Sequence, residues 1–202
     1  MNTGTIIRIN GPIVDAENMD HAGMLEVVEV GELRLIGEVI RIRGGVATIQ
    51  VYENTSGLHP GEPVYCTSRP LSVCLGPGLL GNIYDGIQRP LSEIAKHSGA
   101  FIARGEKTSP VDMERKWRFT PVAKDGDFLE EGQVLGEVQE TESVLHKVMV
   151  PPGKRGKVSA LVPAGEYDGH AVLCRLTEAD GREHEIGLFQ WWPVRRPRPG
   201  KG

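Results

Sequence analysis

Aromatic residues are scarce in this sequence, 5% in all, and cysteines number only three, Cys66, Cys74 and Cys174. An odd count with no C-x-x-C pair indicates neither a disulfide framework nor a zinc ribbon. Free thiols, buried or partly buried in a reducing cytosol, are the expectation. No stretch approaches the length of a membrane span, and Met1-Asn2-Thr3-Gly4 opens no basic-then-apolar signal region. A cytoplasmic location is therefore expected, and Asn54-Thr55-Ser56 reads as a turn rather than a glycosylation site. The net charge of −4 offers no bulk attraction to nucleic acid or anionic lipid.

Chemistry-bearing patterns are equally sparse. The histidines at 21, 59, 97, 146, 170 and 184 form no H-x-x-x-H or H-E-x-x-H pair, and a metal site needs convergent ligands. His184 lies in Arg182-Glu183-His184-Glu185, which reads as an exposed charged strand. No Ser/Cys–His–Asp set can be nominated, because such triads converge only in three dimensions. The phosphate-cradling G-x-x-x-x-G-K-[ST] does not occur. Gly153-Lys154-Arg155-Gly156-Lys157 comes nearest, but its spacing is wrong and Val158 stands where the metal-binding hydroxyl belongs. It reads as a basic surface turn. No catalytic, cofactor-binding or metal-ligating residue is nominated, and no cofactor is expected on this chain.

What the sequence does have is glycine, 26 residues, and proline, 14, which point to many short strands and turns. With 202 residues, 39% of them apolar, there is room for one large core or two small ones. Residues 1-70 are expected to form a six-stranded type of β-barrel. Thr5–Ile9 is ended by Asn10-Gly11-Pro12, and Ile13-Val14-Asp15 resumes briefly. Met24–Val30 and Leu33–Ile42 make a hairpin across Gly31-Glu32, and Arg43-Gly44-Gly45 turns the chain into Val46–Tyr52. There Ala47, Ile49 and Val51 should face one way, and Thr48, Gln50 and Tyr52 the other. Gly57–Pro63 is a loop, and Val64–Thr67 closes the set.

Residues 71-114 begin with an extended run, Leu71–Leu75, then Gly76-Pro77-Gly78-Leu79-Leu80-Gly81 and Asn82-Ile83-Tyr84. The three glycines satisfy G-x-G-x-x-G, but a dinucleotide loop needs a helix opening at its last glycine. Asp85-Gly86 and Pro90 forbid that, so a strand–turn–strand is expected. Leu91, Ile94 and Ala95 then share one face of a two-turn helix stopped by Gly99. Phe101–Arg104 is extended, and 105–114 is a polar linker.

Residues 115-190 read as a second β unit, marked by Asp125-Gly126-Asp127, Val134-Leu135-Gly136, Val150-Pro151-Pro152, Gly156-Lys157-Val158 and Pro163-Ala164-Gly165. The order resembles the flattened sandwich of biotinyl/lipoyl carriers. A carrier needs a lysine at a hairpin tip; here Glu140-Thr141-Glu142-Ser143-Val144 places Ser143 there, and Lys147 falls inside the next strand. Residues 191-202 form a return segment and tail in which Trp191 and Trp192 are expected to be core or interface anchors, since adjacent strand residues can face opposite layers. Arg195, Arg196 and Arg198 are the one basic cluster, too short on an acidic chain to indicate nucleic-acid binding.

The run LGPGLLGNIYDGIQRPL (75–91), together with GLHPGEPV (57–64) and the tail, resembles the catalytic A subunit of the V/A-type rotary ATPases. The resemblance implies an N-terminal barrel, an approach to the nucleotide-binding domain at 71-114, and the extra bulge domain of that family at 115-190. It implies assembly with the B subunit of the same ATPase in an alternating ring, and contact of the bulge domain with peripheral stalk subunits. It also implies attachment to the membrane only through the assembled complex. In that family the phosphate-binding loop, which holds ATP and Mg2+, comes after these regions, so this part alone is expected to be inactive. Leu79, Leu80 and Ile83 would then lack their covering sheet; 71–114 and the tail after Trp192 should open at a cost of about 1–3 kcal/mol, with fast exchange from 76 to 107 and after Pro193. Two rival readings are a carrier-like protein, opposed by Ser143, and a stand-alone binding module on a translation-factor-like barrel.

Overall fold

The computed structural model describes residues 3–92, 94, 105 and 108–198. The chain is mainly β and divides into two compact units, one built on Met1–Ser72 with Pro193–Arg195, the other on Thr108–Trp192 with Val73–Glu93.

The first unit is a closed barrel of six strands, β1 (Thr3–Asn10), β2 (Ile13–Glu17), β3 (Glu26–Val30), β4 (Leu35–Arg43), β5 (Val46–Val51) and β6 (Pro63–Pro70). They run in the order β1-β2-β5-β4-β3-β6, and β6 closes the ring by pairing with both β3 and β1. Closure leaves no open edge, which suits short strands joined by glycine turns. The β4–β5 turn shows why Gly-Gly stands at its corner: Arg43 pairs with Val46 across Gly44 and Gly45, at φ +57° and +74°. Two consecutive left-handed residues make the turn whose twist matches a hairpin. The expected alternation holds. Ala47, Ile49 and Val51 are buried with Ile6, Val14, Val28, Leu35, Val39 and Val64 in one core, whereas Gln50 and Tyr52 are exposed.

Two boundaries differ from expectation. The β3–β4 connection is a four-residue turn, with Val30 paired to Leu35, because Arg34 sits at φ +53° and cannot continue a ladder. Leu33 is therefore outside β4 and exposed. Likewise β3 starts at Glu26, since Leu25 at φ +63° breaks extension there and leaves Met24 in the loop.

In the second unit, β8 (Trp117–Pro121), β10 (Val134–Gln139), β11 (Leu145–Met149) and β13 (Gly165–Tyr167) form a sheet in the order β11-β10-β8-β13. A second sheet has the order β15-β14-β12-β9, from β9 (Phe128–Leu129), β12 (Gly156–Ser159), β14 (Cys174–Thr177) and β15 (Glu183–Ile186). Side chains from both sheets bury one core: Phe119, Leu135, Val138 and Val148 from the first, Leu129, Val158, Leu176 and Ile186 from the second. This is the expected flattened sandwich. Gly136 lies directly under the Phe119 ring, where a Cβ would come within 2.3 Å of it. The chain returns through β16 (Gln190–Pro193), which pairs with β7 (Ser72–Leu75).

The anticipated strand–turn–strand at Leu71–Tyr84 is only half present. β7 forms, but its second arm reduces to a single bridge between Tyr84 and Pro90. Asp85 turns the chain back on itself instead, its Oδ1 accepting the N–H groups of Ile87 and Arg89. The helix expected at 91–99 and the extended run at 101–104 lie outside the described residues, save Leu91, Ser92 and Ile94. No described helix is long and apolar enough to cross a membrane.

Candidate functional site

The Gly76–Leu80 turn is covered in part: its first glycines are packed, whereas Leu80 and Ile83 lack cover as expected. Its glycines are dictated by close approach: a Cβ on Gly76 would meet Phe189 at 2.0 Å, and Gly78, at φ +96°, has Trp117 at 2.9 Å. No helix opens after Gly81, so no dinucleotide cradle exists there. Instead the Glu140 carboxylate, buried to 6% exposure, takes the place of an external anion. Its Oε1 accepts the Gly78 N–H at 2.7 Å and the Leu80 N–H at 3.4 Å. Gln88 ties the same region to β7, accepting from the Cys74 N–H and donating to the Cys74 carbonyl. Tyr84 donates to the Pro110 carbonyl at 3.0 Å. Burial alone would raise the Asp85 carboxyl, but the Arg89 and Ile87 N–H groups and the Arg89 guanidinium hold it below the usual carboxylate range. Leu80 and Ile83 do remain exposed, at 55% and 73%.

Glu140 opens the tip of the β10–β11 hairpin, the place where a carrier would bear its modified lysine. Ser143 is exposed at this tip, and Lys147 lies in β11 opposite Glu137. The carrier shape is present without an acceptor at the tip. Close by, His146 Nδ1 stands 4.0 Å from Glu140 Oε2, and its Nε2 is buried with no hydrogen-bond partner. Burial lowers the His146 pKa and the Arg198 guanidinium lowers it further, against the attraction of Glu140.

His97 lies outside the described residues, and the other described histidines do not converge. His21 and His59 are exposed, and His59 Nδ1 lies 3.3 Å from Glu62. His170 meets Glu114 at 3.1 Å on the surface. His184 is on β15 as expected, but half-buried rather than exposed, with Glu178 2.6 Å from its Nε2. Among the described residues no group of three or more His, Cys, Asp or Glu could hold a metal. Gly153, Lys154 and Arg155 of the Gly153–Lys157 turn line a polar cavity of about 440 Å3 with Glu130, Glu131, Glu178 and Arg182. Two of its carboxylates are already engaged: Glu131 accepts from the Gly153 N–H and from Arg196, and Glu178 from Arg182.

The basic tail is likewise not a free patch. Arg196 is bound to Glu131, Arg198 stacks over the Trp192 ring at 5.7 Å, and Trp192 donates to the Arg196 carbonyl. Arg195 belongs to the barrel unit, where its guanidinium grips Glu38, a carboxylate with 3% of its side chain exposed. Tyr52 donates to the same carboxylate at 3.2 Å. Trp191 and Trp192 do face opposite ways, 56% and 3% exposed. Sequence reasoning found neither Glu140, Glu38 nor Gln88, because an isolated polar residue carries no pattern until its partner is beside it.

Residues 6–68 match the model of the β-barrel domain of the ATP synthase alpha/beta family. Residues 108–195 match that of the barrel-sandwich domain of the ATP synthase alpha/beta subunit. The chain belongs to the ATP synthase alpha/beta subunit family. It is 52% identical to the A subunit of an A-type ATP synthase of Methanopyrus kandleri, over 98% of this chain and 33% of that relative. It is 50% identical to a V-type ATP synthase alpha chain of Halothermothrix orenii, over 97% and 33%. With the A subunit of the A-type ATP synthase of Hyperthermus butylicus the identity is 54%, again over 97% and 33%. The chain thus spans about a third of the length of the curated ATP synthase relatives it matches, in their N-terminal regions. Both the sandwich without a carrier lysine and the glycine turn without a helix are features of this ATP synthase family member.

Proposed function

We propose that the chain serves as the N-terminal part of the catalytic A subunit of a V/A-type ATP synthase or ATPase, coupling ATP synthesis or hydrolysis to proton or sodium movement. In this reading the barrel, 1-70, assembles beside the B subunit in an alternating ring. Residues 71-114 lead toward the nucleotide-binding domain, 115-190 form the bulge domain that meets the peripheral stalk, and 191-202 return. ATP and Mg2+ would be held outside the matched third, since no phosphate-cradling G-x-x-x-x-G-K-[ST] occurs in these 202 residues. The whole would sit at the membrane periphery as part of the ATPase head.

One observation carries the proposal: similarity at 52% identity takes in barrel, glycine turn and sandwich together, over 98% of the chain. A carrier or a translation-factor-like module would share one unit and not the sequence joining both. The test is association. Mixed with the B subunit from the same source, the chain should form a stable complex by light scattering after gel filtration. Failure to associate at concentrations of about 10–100 μM, with both proteins folded, would refute the assembly role.

A further inference from the structure

We propose that the β10–β11 hairpin tip is a proton-gated latch on the Gly76–Leu80 turn, closed by the Glu140 carboxylate and opened when His146 gains a proton. The closed state is built from both sides. On the hairpin, the Glu140 N–H donates to the Val144 carbonyl, and the Gln139 side-chain amide donates to the carbonyls of Thr141 and Val144, so the tip is stiff. On the turn, the Asn82 side chain donates to the Gly78 carbonyl at 2.8 Å and holds the Gly78 and Leu80 N–H groups toward one point. Backbone N–H groups converging in this way make a small anion-binding concavity. A buried carboxylate from 60 residues away fills it.

His146 supplies the gate. It sits in β11 opposite Val138, 4.0 Å from the oxygen of Glu140 that does not bind the turn. The charged groups that act on it are Glu140, from its own hairpin, and Arg198, from the tail. The neighbouring Tyr84 phenol is neutral and feels the Glu140 charge. A neutral imidazole tolerates its unpartnered Nε2. An imidazolium carries N–H on both nitrogens, and the buried Nε2–H has no acceptor. Burial and Arg198 together outweigh the pull of Glu140, so His146 stays neutral to below its ordinary value of 6.5. Closure therefore persists down through that value and is lost only as the pH falls through the lowered pKa of the buried imidazole. Relief comes either by drawing the carboxylate across the 4.0 Å gap, away from Gly78, or by lifting the tip into water. Both undo the clasp.

Amide exchange resolved by NMR on the 202-residue chain tests this, with the intrinsic pH dependence of exchange divided out. Protection of the Gly78 and Leu80 amides should fall about tenfold between about pH 7.5 and about pH 4.5, with the step below the ordinary histidine value, while Ile49 and Leu135 stay protected. His146→Gln should keep the neutral-pH protection and abolish the step. Glu140→Gln, which removes the charge but leaves an acceptor, should lower protection at every pH. A flat profile in the wild type overturns the proposal, as does a full step in His146→Gln or unchanged neutral-pH protection in Glu140→Gln. Retained protection at Leu135 shows that each variant is folded.

Discussion

Replacing Gly136 with alanine asks how tightly the sandwich core dictates its sequence. Gly136 has an ordinary backbone conformation, so alanine would gain about 0.5–1 kcal/mol from a less flexible unfolded chain if space allowed. Space does not allow it: the new methyl would lie 2.3 Å and 2.4 Å from Phe119 ring carbons and 2.7 Å from the Thr120 carbonyl oxygen. The ring is fully buried and packs edge-on to Tyr167 at 6.3 Å, and the carbonyl belongs to the adjoining strand β8. Neither can yield cheaply, and overpacking of this kind costs about 1–3 kcal/mol. Because backbone as well as ring is contacted, we place the cost at the upper end, for a net loss of about 2 kcal/mol. With a urea dependence of about 1 kcal/mol/M for a unit of this size, the sandwich midpoint should drop by about 2 M. Tryptophan fluorescence follows this transition, since Trp117, Trp191 and Trp192 all lie in that unit. Phe119→Leu in the Gly136→Ala background should recover part of the loss, as a double-mutant cycle. A midpoint equal to or above the wild-type value would refute the reasoning.

Calorimetry with Mg-ATP should show no micromolar binding, because backbone donors, lysine and magnesium ligand are not gathered anywhere in the sequence. Intact mass after expression with lipoate and biotin ligases should show no addition, since Ser143 stands at the tip; a shift mapped to Lys147 would mean that the hairpin tip is misassigned. Burial pushes the thiols of Cys66, Cys74 and Cys174 up to about 11. At about pH 8 their alkylation in the native protein should be at least about 100-fold slower than that of free cysteine, rising as pH climbs toward the folded value. Fast labelling of any of them would contradict the burial. Amides in Ala47–Val51 and Val134–Val138 should be the slowest to exchange, each in a central strand of its own core.

The barrel was legible because its signals are local. Gly44-Gly45 demands a left-handed turn, and the period of two in Ala47, Ile49 and Val51 names the inward face without reference to anything distant. Family membership was legible for a similar reason: the run from 75 to 91 is contiguous, so its likeness to a rotary ATPase needs no tertiary contact to be seen. The misplaced boundaries at Leu25 and Arg34 fall where non-glycine residues take positive φ, a conformation that no residue type there announces. What only the tertiary structure decided is which polar groups meet. Glu38 and Arg195 are 157 residues apart, Glu140 and Gly78 are 62 apart, and nothing in the local pattern around either carboxylate hints at its partner. The stretch after β7 reads as lacking its sheet, yet Gln88, Glu140 and Phe189 cover much of it. Local sterics and hydrophobic period are written residue by residue, whereas the pairing of single buried charges depends on chain closure over long separations, which is settled only when the cores have formed.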